Sequence, residues 1–532
     1  MHPTLRNIIK AVCAVTCAVI IPACATVAPP EPQKPLEPET IPKYLWIVNR
    51  NAPVMSSVIS QSDWLTWRHA TYDRVGIRYI LSQCAASGIR RVYYRTFGGG
   101  LAQYPSDLPD ARMMKQPETG VDYSGFDHLR ETVEFGHRLG LEVCVWYTFL
   151  EENHAWPDHL RSAYLDNHPG FWEVDASGNV IDALPSFAYP EYRRQRVALA
   201  QEVLRKYPID GLMLDFERRG SPGRGDNAGY SQLALEEFRK KTGSNDFPKP
   251  DDEAWRRHRA EYINVTIRDI RTAIERQGRK IPLVAMVPSR LDGISSVADI
   301  AAWQAGGLFD RTCLIGHGKA WGWCGSPREA FELQQNLKGE KGFVLYVYKG
   351  SADEIRKSAA EANELGLNEI IWFETGPLDF NNLWDLVATQ CIAPEVRIKR
   401  EFAVSELPSD ARLRVDADCS ADVFVNGKEV AAELTGTRTL SIAEHIQPGM
   451  NAIAIRARPL KGASRPGLAA VIETTSPSGQ VARMISDESW LAAETDVSDQ
   501  WTTSGADGDG KWRKSDAVGM VGLWPRMGRK LE

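Results

Sequence analysis

Between residues 44 and 395, short apolar runs alternate with longer segments whose apolar positions recur every three to four residues. The runs are YLWIVN (44–49), RRVYYRTF (90–97), LEVCVWYTF (141–149), DGLMLDFE (210–217), IPLVAMVP (281–288), RTCLIGH (311–317), KGFVLYVY (341–348) and LNEIIWFETG (367–376). Their length suits strands buried on both faces. FDHLRETVEFGHRLG and AEYINVTIRDIRTAIERQG have helical spacing, and the first ends on Gly140, a helix-stop signal. Eight strand-like runs, most preceded by a helix, predict a (β/α)8 barrel over 44–395. An open doubly wound sheet would more often carry a glycine-rich phosphate loop after its first strand. YLWIVNRNAPV has none, and FGGG (97–100) lacks the G-x-G-x-x-G spacing.

After residue 395 the period changes to two. ARLRVDA, ADVFVNGKEV, NAIAIRARP, GLAAVIETT and QVARMISD alternate as half-buried strands do. Asn426-Gly427 lies between two of them, a strong tight-turn signal. These segments predict an all-β sandwich over 396–532.

The first 24 residues read as a signal peptide. Arg6 and Lys10 precede the apolar run AVCAVTCAVIIPA, which is too short to span a bilayer and right for a signal core. IPAC resembles a bacterial lipobox, which would make Cys24 the lipidated residue. Cleavage after Ala23-Cys24-Ala25 is the competing route, and both routes export the chain. Residues 25–43, rich in Pro and Glu, read as a semi-rigid tether.

Composition narrows the partners. A formal charge of -6 argues against nucleic acid. Sixteen Trp suit a carbohydrate binder or simply a large core. The nine Cys show no zinc-type spacing, and no metal or organic cofactor is implied. Cys144, inside an apolar run, reads as a small buried hydrophobe.

The candidate chemistry lies in DGLMLDFE. Alternate side chains of a strand face opposite ways. Leu212, Leu214 and Phe216 share one face, and Met213, Asp215 and Glu217 share the other. The apolar face should meet the helices, so Asp215 and Glu217 are expected to point to the barrel axis at its carboxyl mouth, where such barrels hold their active sites. The same logic on the eighth run puts Ile370, Trp372 and Glu374 on the inner face. Three carboxylates and an indole at one rim are what glycoside hydrolysis needs: a proton donor, a nucleophile or water-activating base, and a platform for the ring. Crowded carboxylates also raise one pKa, keeping an acid protonated near neutrality. The bland alternative is that these acids are ion-pair struts for Arg95, Arg218 or Arg219. Arg95, Tyr147, His317 and Tyr346 lie in or end other runs and are candidate contacts to sugar hydroxyls. Glu151, Glu152 and His154, just past the third run, are weaker ones.

GIRRVYYRTFG, HRLGLEVCVWYTFLEENH, RKYPIDGLMLDFER, AAWQAGGLFD and EIIWFETGPL resemble the bacterial glycosyl hydrolase-like family 10, over roughly 44–395. The family pattern at the fourth strand, a DG followed by one or two acids, is matched by Asp210, Gly211, Asp215 and Glu217. The resemblance implies a (β/α)8 fold, a glycan substrate and an envelope role. DGLMLDFE is also similar to the DGxDxDxE of family 18 chitinases. There Glu217 matches the general acid and Asp215 the carboxylate that steadies the acetamido group; Met213 stands where that pattern has an Asp. Family 10 xylanases carry a nucleophile Glu on strand seven, and FVLYVYKG has none. DVFVNGKEV, PGMNAIAIRA and DESWLAA resemble a galactose-binding-like sandwich. The resulting expectation is an exported, lipid-anchored glycoside hydrolase with Glu217 as general acid, Asp215 as its partner and Glu374 in reserve. The alternative is a non-catalytic glycan-binding or scaffolding protein of the envelope.

Overall fold

The computed structural model describes residues 42–49, 52–60, 73–98, 100–111, 125–150, 152, 161–216, 227–288, 299–316, 326–335, 339–346, 352–461, 463, 466–494, 497, 500–505, 511–515 and 517–518. The signal-peptide and Cys24 expectations and all but the end of the tether lie outside them.

Eight parallel strands close a barrel: β1 Val54–Ile59, β2 Arg91–Gly98, β3 Glu142–Thr148, β4 Gly211–Asp215, β5 Leu283–Pro288, β6 Arg311–Gly316, β7 Glu340–Tyr346 and β8 Glu369–Phe373. Closure comes where β1 bonds to both β8 and β2. Helices cover the outside. Arg74–Ala86 starts at Asp73, whose carboxylate accepts from Val75 N and Gly76 N at 2.9 and 3.0 Å and so fills two of the orphan donors of the first turn. His128–Arg138 is capped by Asp127, whose carboxylate accepts from Arg130 N at 3.0 Å. The expected stop at Gly140 is observed, with a left-handed φ of 78°.

Period-two alternation divides the strands into two buried layers. Val58, Tyr93, Cys144, Trp146, Met213, Met286, Ile371 and Phe373 are among the residues that pack together inside the barrel. Their strand neighbours Tyr94, Tyr147, Leu212, Leu214, Ile370 and Trp372 pack outward with the helices. At the amino end the barrel is plugged by a charge cluster. Glu369, fully buried, accepts from Arg91 Nη1 at 2.9 Å, Tyr93 Oη at 3.0 Å and the Ser56 hydroxyl, and pairs with Arg311 at 2.9 Å. Burial alone would raise this carboxyl, but the two arginines hold it below the usual carboxylate range.

The first run is a correction. Tyr44–Trp46 is not a barrel strand. Leu45 pairs with Leu468 and Ala517 in the carboxyl-terminal sheet, and the first barrel strand is VMSSVI, starting at Val54. Ser56 and Ser57 break the apolar texture that marks the other strands, which hides it from a hydropathy reading.

The remaining chain forms a curled, antiparallel ten-stranded sheet. Its long strand Asp410–Val425 pairs with Gly467–Thr475 up to Ala417 and with Gly449–Arg458 from Ser420 onward. Changing partners midway lets the sheet turn around its own core of Ile398, Leu413, Val423, Ile455, Ile472 and Trp490. The expected hairpin is present: Asn426 and Gly427 both have positive φ, 50° and 85°, and Val425 pairs with Lys428. Cys84, Cys144, Cys313, Cys391 and Cys419 are buried free thiols, and Cys144 packs inside the barrel as the small hydrophobe it was read to be.

Candidate active site

β4 ends the way its alternation requires. Leu212, Leu214 and Phe216 meet the helix layer, and Met213 lies in the barrel interior. Asp215 shares the face of Met213 and is fully buried. Trp146 Nε1, from the inner face of β3, donates to Asp215 Oδ2 at 3.0 Å. Across the barrel the Trp146 ring meets Phe373 of β8 edge to face, with centroids 5.5 Å apart. The Arg95 guanidinium of β2 lies 5.5 Å from the centroid of the same ring. Trp146 is therefore the hub of the upper interior. It carries a hydrogen bond to the acid on one side and a cation–π contact on the other.

The backbone at this level is fixed as well. Phe149 N donates to Asp215 O at 3.1 Å. Arg196, buried on the helix Pro190–Lys206, donates to the carbonyls of Thr148 and Phe149 at 2.6 and 2.9 Å. It pairs with buried Glu152 at 2.7 Å, and Tyr192 Oη donates to the same carboxylate oxygen at 2.6 Å. The Tyr147 and Phe97 rings lie 4.5 and 4.6 Å from the guanidinium. The strand end beside Asp215 is thus clamped from outside the barrel. A buried arginine that meets carbonyls, a carboxylate and ring faces avoids the cost of an isolated charge.

Two expected sugar contacts are corrected. Trp372 and Tyr147 face the helices rather than the barrel axis. The Trp372 side chain is fully buried in that outer layer, and Tyr147 donates its hydroxyl to Arg196 O at 3.1 Å. On β8 the inner face is Glu369, Ile371, Phe373, one residue out of phase with the expectation. Both faces of the strand are apolar, so hydropathy alone does not set its phase. Arg95 and Asp215 are brought together around Trp146. Glu374 follows the last residue of β8, is 1% exposed, and sits at the start of the helix Thr375–Phe380 across a cis peptide from Phe373. Tyr346 ends β7 opposite Phe373, with its side chain outside the described residues. Glu217 and His317 lie outside the described residues, as do Glu151, His154, Arg218 and Arg219. Trp146 and Arg196 are additions to the sequence reading. The signal for Trp146 was its place two residues beyond inward-facing Cys144.

Asp210 and Gly211 have structural roles. Asp210 is at the amino end of β4, where its carboxylate accepts from Val143 N at 2.7 Å and meets His137 Nε2 at 2.8 Å. A Cβ on Gly211 would fall 2.7 Å from Cys144 Sγ, so glycine is what permits β3 and β4 to pair at this level.

A closed parallel barrel with a buried, hydrogen-bonded carboxylate and aromatic rings at its carboxyl end places the chain among (β/α)8 proteins. The family can be stated more closely. Residues 51–312 match the family described as Glycosyl hydrolase-like 10. The protein called glycosyl hydrolase DigH from Escherichia coli K12 is 24% identical over 249 residues, covering 42% of this chain and 53% of that protein. The chain thus matches about half the length of the curated relatives. Among solved structures, the PgaB (BpsB) glycoside hydrolase domain from Bordetella bronchiseptica covers 63% of this chain and 98% of its own, at 12% identity and a TM-score of 0.44. The α-L-rhamnosidase of Streptomyces avermitilis, complexed with L-rhamnose, covers 25% of this chain and 14% of its own, at 27% identity and a TM-score of 0.22.

Proposed function

We propose that the protein is an exported glycoside hydrolase that cleaves a polysaccharide or peptidoglycan-type glycan at the carboxyl mouth of the barrel. The observation that carries this is Asp215: an ionisable group fully buried at the end of β4, held by Trp146, in a chain matching a glycosyl hydrolase-like family. Buried carboxylates at this end of a barrel usually serve chemistry rather than stability. In this reading Glu217, two residues on, protonates the leaving oxygen. Asp215 steadies the substrate or acts as the second carboxylate, and Glu374 is the reserve for that role. A working pair about 5–5.5 Å apart would give retention, and one about 6.5–9.5 Å apart inversion. Cys24 would carry the lipid anchor at the cell envelope. A shift in mass of the mature amino terminus, lost in Cys24→Ser, tests that part.

A second reading draws on the depth of the site. Arg95, Asp215 and Glu374 are each no more than 1% exposed, as the struts of a non-catalytic glycan-binding or scaffolding barrel would be. One experiment separates the two. Purified residues 44–532 are incubated with peptide-free peptidoglycan strands, chitin oligomers, and plant and algal polysaccharides, beside Glu217→Gln and Asp215→Asn. Release of sugar from one class, reduced at least a hundredfold in Glu217→Gln, supports the enzyme. Binding without release by the unaltered chain supports the scaffold.

A further inference from the structure

Asp215 is reached twice from one stretch of β3. Trp146 Nε1 donates to its carboxylate at 3.0 Å, and Phe149 N donates to its carbonyl at 3.1 Å. Thr148, between the two donors, is its register partner. The height of Asp215 at the mouth is therefore set by where β3 stops.

β3 stops at Arg196. In a regular parallel strand successive carbonyls point to opposite neighbours. The carbonyls of Thr148 and Phe149 instead converge on one nitrogen, Arg196 Nη2, at 2.6 and 2.9 Å. The Thr148 hydroxyl donates to Phe97 O and ties the same point to β2. The guanidinium is itself fixed. Its Nη1 donates to Glu152 at 2.7 Å, and the rings of Phe97, Tyr147, Phe149 and Tyr192 have centroids no more than 5.9 Å away. Glu152 is seated against Gly100, just past β2, where a Cβ would fall 2.6 Å from Glu152 Oε2. The helix that carries Arg196, Pro190–Lys206, is the one that leads into β4. Further along it, Glu202 accepts from Tyr104 Oη at 3.0 Å and Ser106 Oγ at 2.7 Å, both in the segment after β2. One helix thus holds the ends of β2 and β3 beside the strand that carries the acid.

A charge this deep is more than packing requires, because well-packed apolar residues often stabilise a core as much as a buried ion pair does. What an apolar residue cannot do is hold two carbonyls. The planar guanidinium presents its N–H groups in a fixed fork, whereas an ammonium is a point charge on a flexible stem. We propose that Arg196 is a positioning residue for the reaction, fixing the end of β3 and through it the height and direction of the Asp215 carboxylate. A displacement of about 1 Å at a reacting group can cost about a hundredfold in rate. The role in cleavage rests on the glycosidase reading; the hold on Asp215 does not depend on it.

The test compares the full chain with three variants. Arg196→Lys keeps a charge opposite Glu152 and loses the fork. The double variant Arg196→Gln with Glu152→Gln removes both charges together, so no buried charge is left alone. Ile355→Ala is the control for stability: it removes buried core on the helix Ala352–Glu364, which lies between β7 and β8 in the chain. On a glycan that the chain cleaves, kcat should fall about tenfold or more in both Arg196 variants, with KM within about twofold. Ile355→Ala should keep kcat within about twofold despite its lower melting temperature. Hydrogen exchange of the peptides spanning 142–149 and 211–216 should quicken about threefold or more in the Arg196 variants and not in Ile355→Ala. A kcat that follows melting temperature across the set, or unchanged exchange in those peptides, overturns the proposal. If the unaltered chain cleaves no glycan, the glycosidase reading falls. Exchange then decides the rest: quickened exchange leaves the hold on Asp215 standing, and unchanged exchange removes it too.

Discussion

Trp146 is the residue whose surroundings most constrain what Asp215 can do. The indole N–H donates to that carboxylate, at full burial. A carboxylate that loses a buried donor loses stabilisation of its charged form, on the order of 1–3 kcal/mol. Trp146→Phe keeps the ring that packs on Phe373 and under Arg95 and removes only the donor. Glycan cleavage by this variant should fall roughly tenfold to a hundredfold with little change in melting temperature. Unaltered cleavage would mean that this hydrogen bond does not hold Asp215 for the reaction. Sequence alternation located Asp215 correctly, since one face of LMLDF is uniformly apolar. It did not single out Trp146, because β3 is apolar on both faces and the neighbouring Tyr147 looked equally suited to a rim.

Strands and their ends carry the next set of consequences. β3 and β4 approach so closely at Gly211 that an added methyl would meet Cys144 Sγ. Gly211→Ala should destabilise the protein by about 1–3 kcal/mol. Pairing it with Cys144→Ala should recover part of that loss, so that the double variant is less destabilised than the sum of the singles. Chemical denaturation of the four proteins measures the coupling, and strict additivity would place the strain elsewhere. At the amino end of β4, the hydrogen bond that Asp210 accepts from the His137 ring raises the pKa of His137. Both side chains are 36% exposed, so the contribution is no more than about 1 kcal/mol. Its sign is fixed: the folded value lies above the unfolded one, about 6.5. The stabilisation is complete below that pH and fades as pH rises through the folded value. His137→Gln should therefore lower the melting temperature at pH 5.5 more than at pH 9. The DG pair that carries the family resemblance thus acts here through register and packing. Seven of the eight barrel strands were legible from apolar runs, with ends accurate to a few residues. β1 escaped because its serines interrupt the run, and the phase of β8 escaped because hydropathy is silent where both faces are dry.

At the scale of the whole molecule, a buried charge cluster around Glu369 lies inside the barrel. It joins β1, β2, β6 and β8 through Ser56, Arg91, Tyr93 and Arg311. Glu369→Gln removes the buried carboxylate that Arg91 and Arg311 share and leaves them only the half-exposed Glu142 and Glu340, and the cost should be at most about 3–5 kcal/mol in denaturant unfolding. Because the folded pKa of Glu369 is depressed, its contribution is present above the unfolded value of about 4.3 and is lost as pH falls through the folded one. Acid unfolding of the unaltered chain should set in below about pH 4, and the Gln variant should lack this dependence. Sequence reading found two architectures and their order, but treated them as consecutive. The structure interleaves them, because Tyr44–Trp46 is spent on the second sheet before the barrel begins. Leu45 and its partner Leu468 are 468 − 45 = 423 residues apart. At about 5–20 residues per second, a ribosome makes the first strand roughly 20–85 s before its partner. In that interval the barrel can close while the strand waits unpaired. The second sheet is completed only when the chain returns to where it started, so the pairing of Leu45 with Leu468 closes a loop that contains the whole barrel.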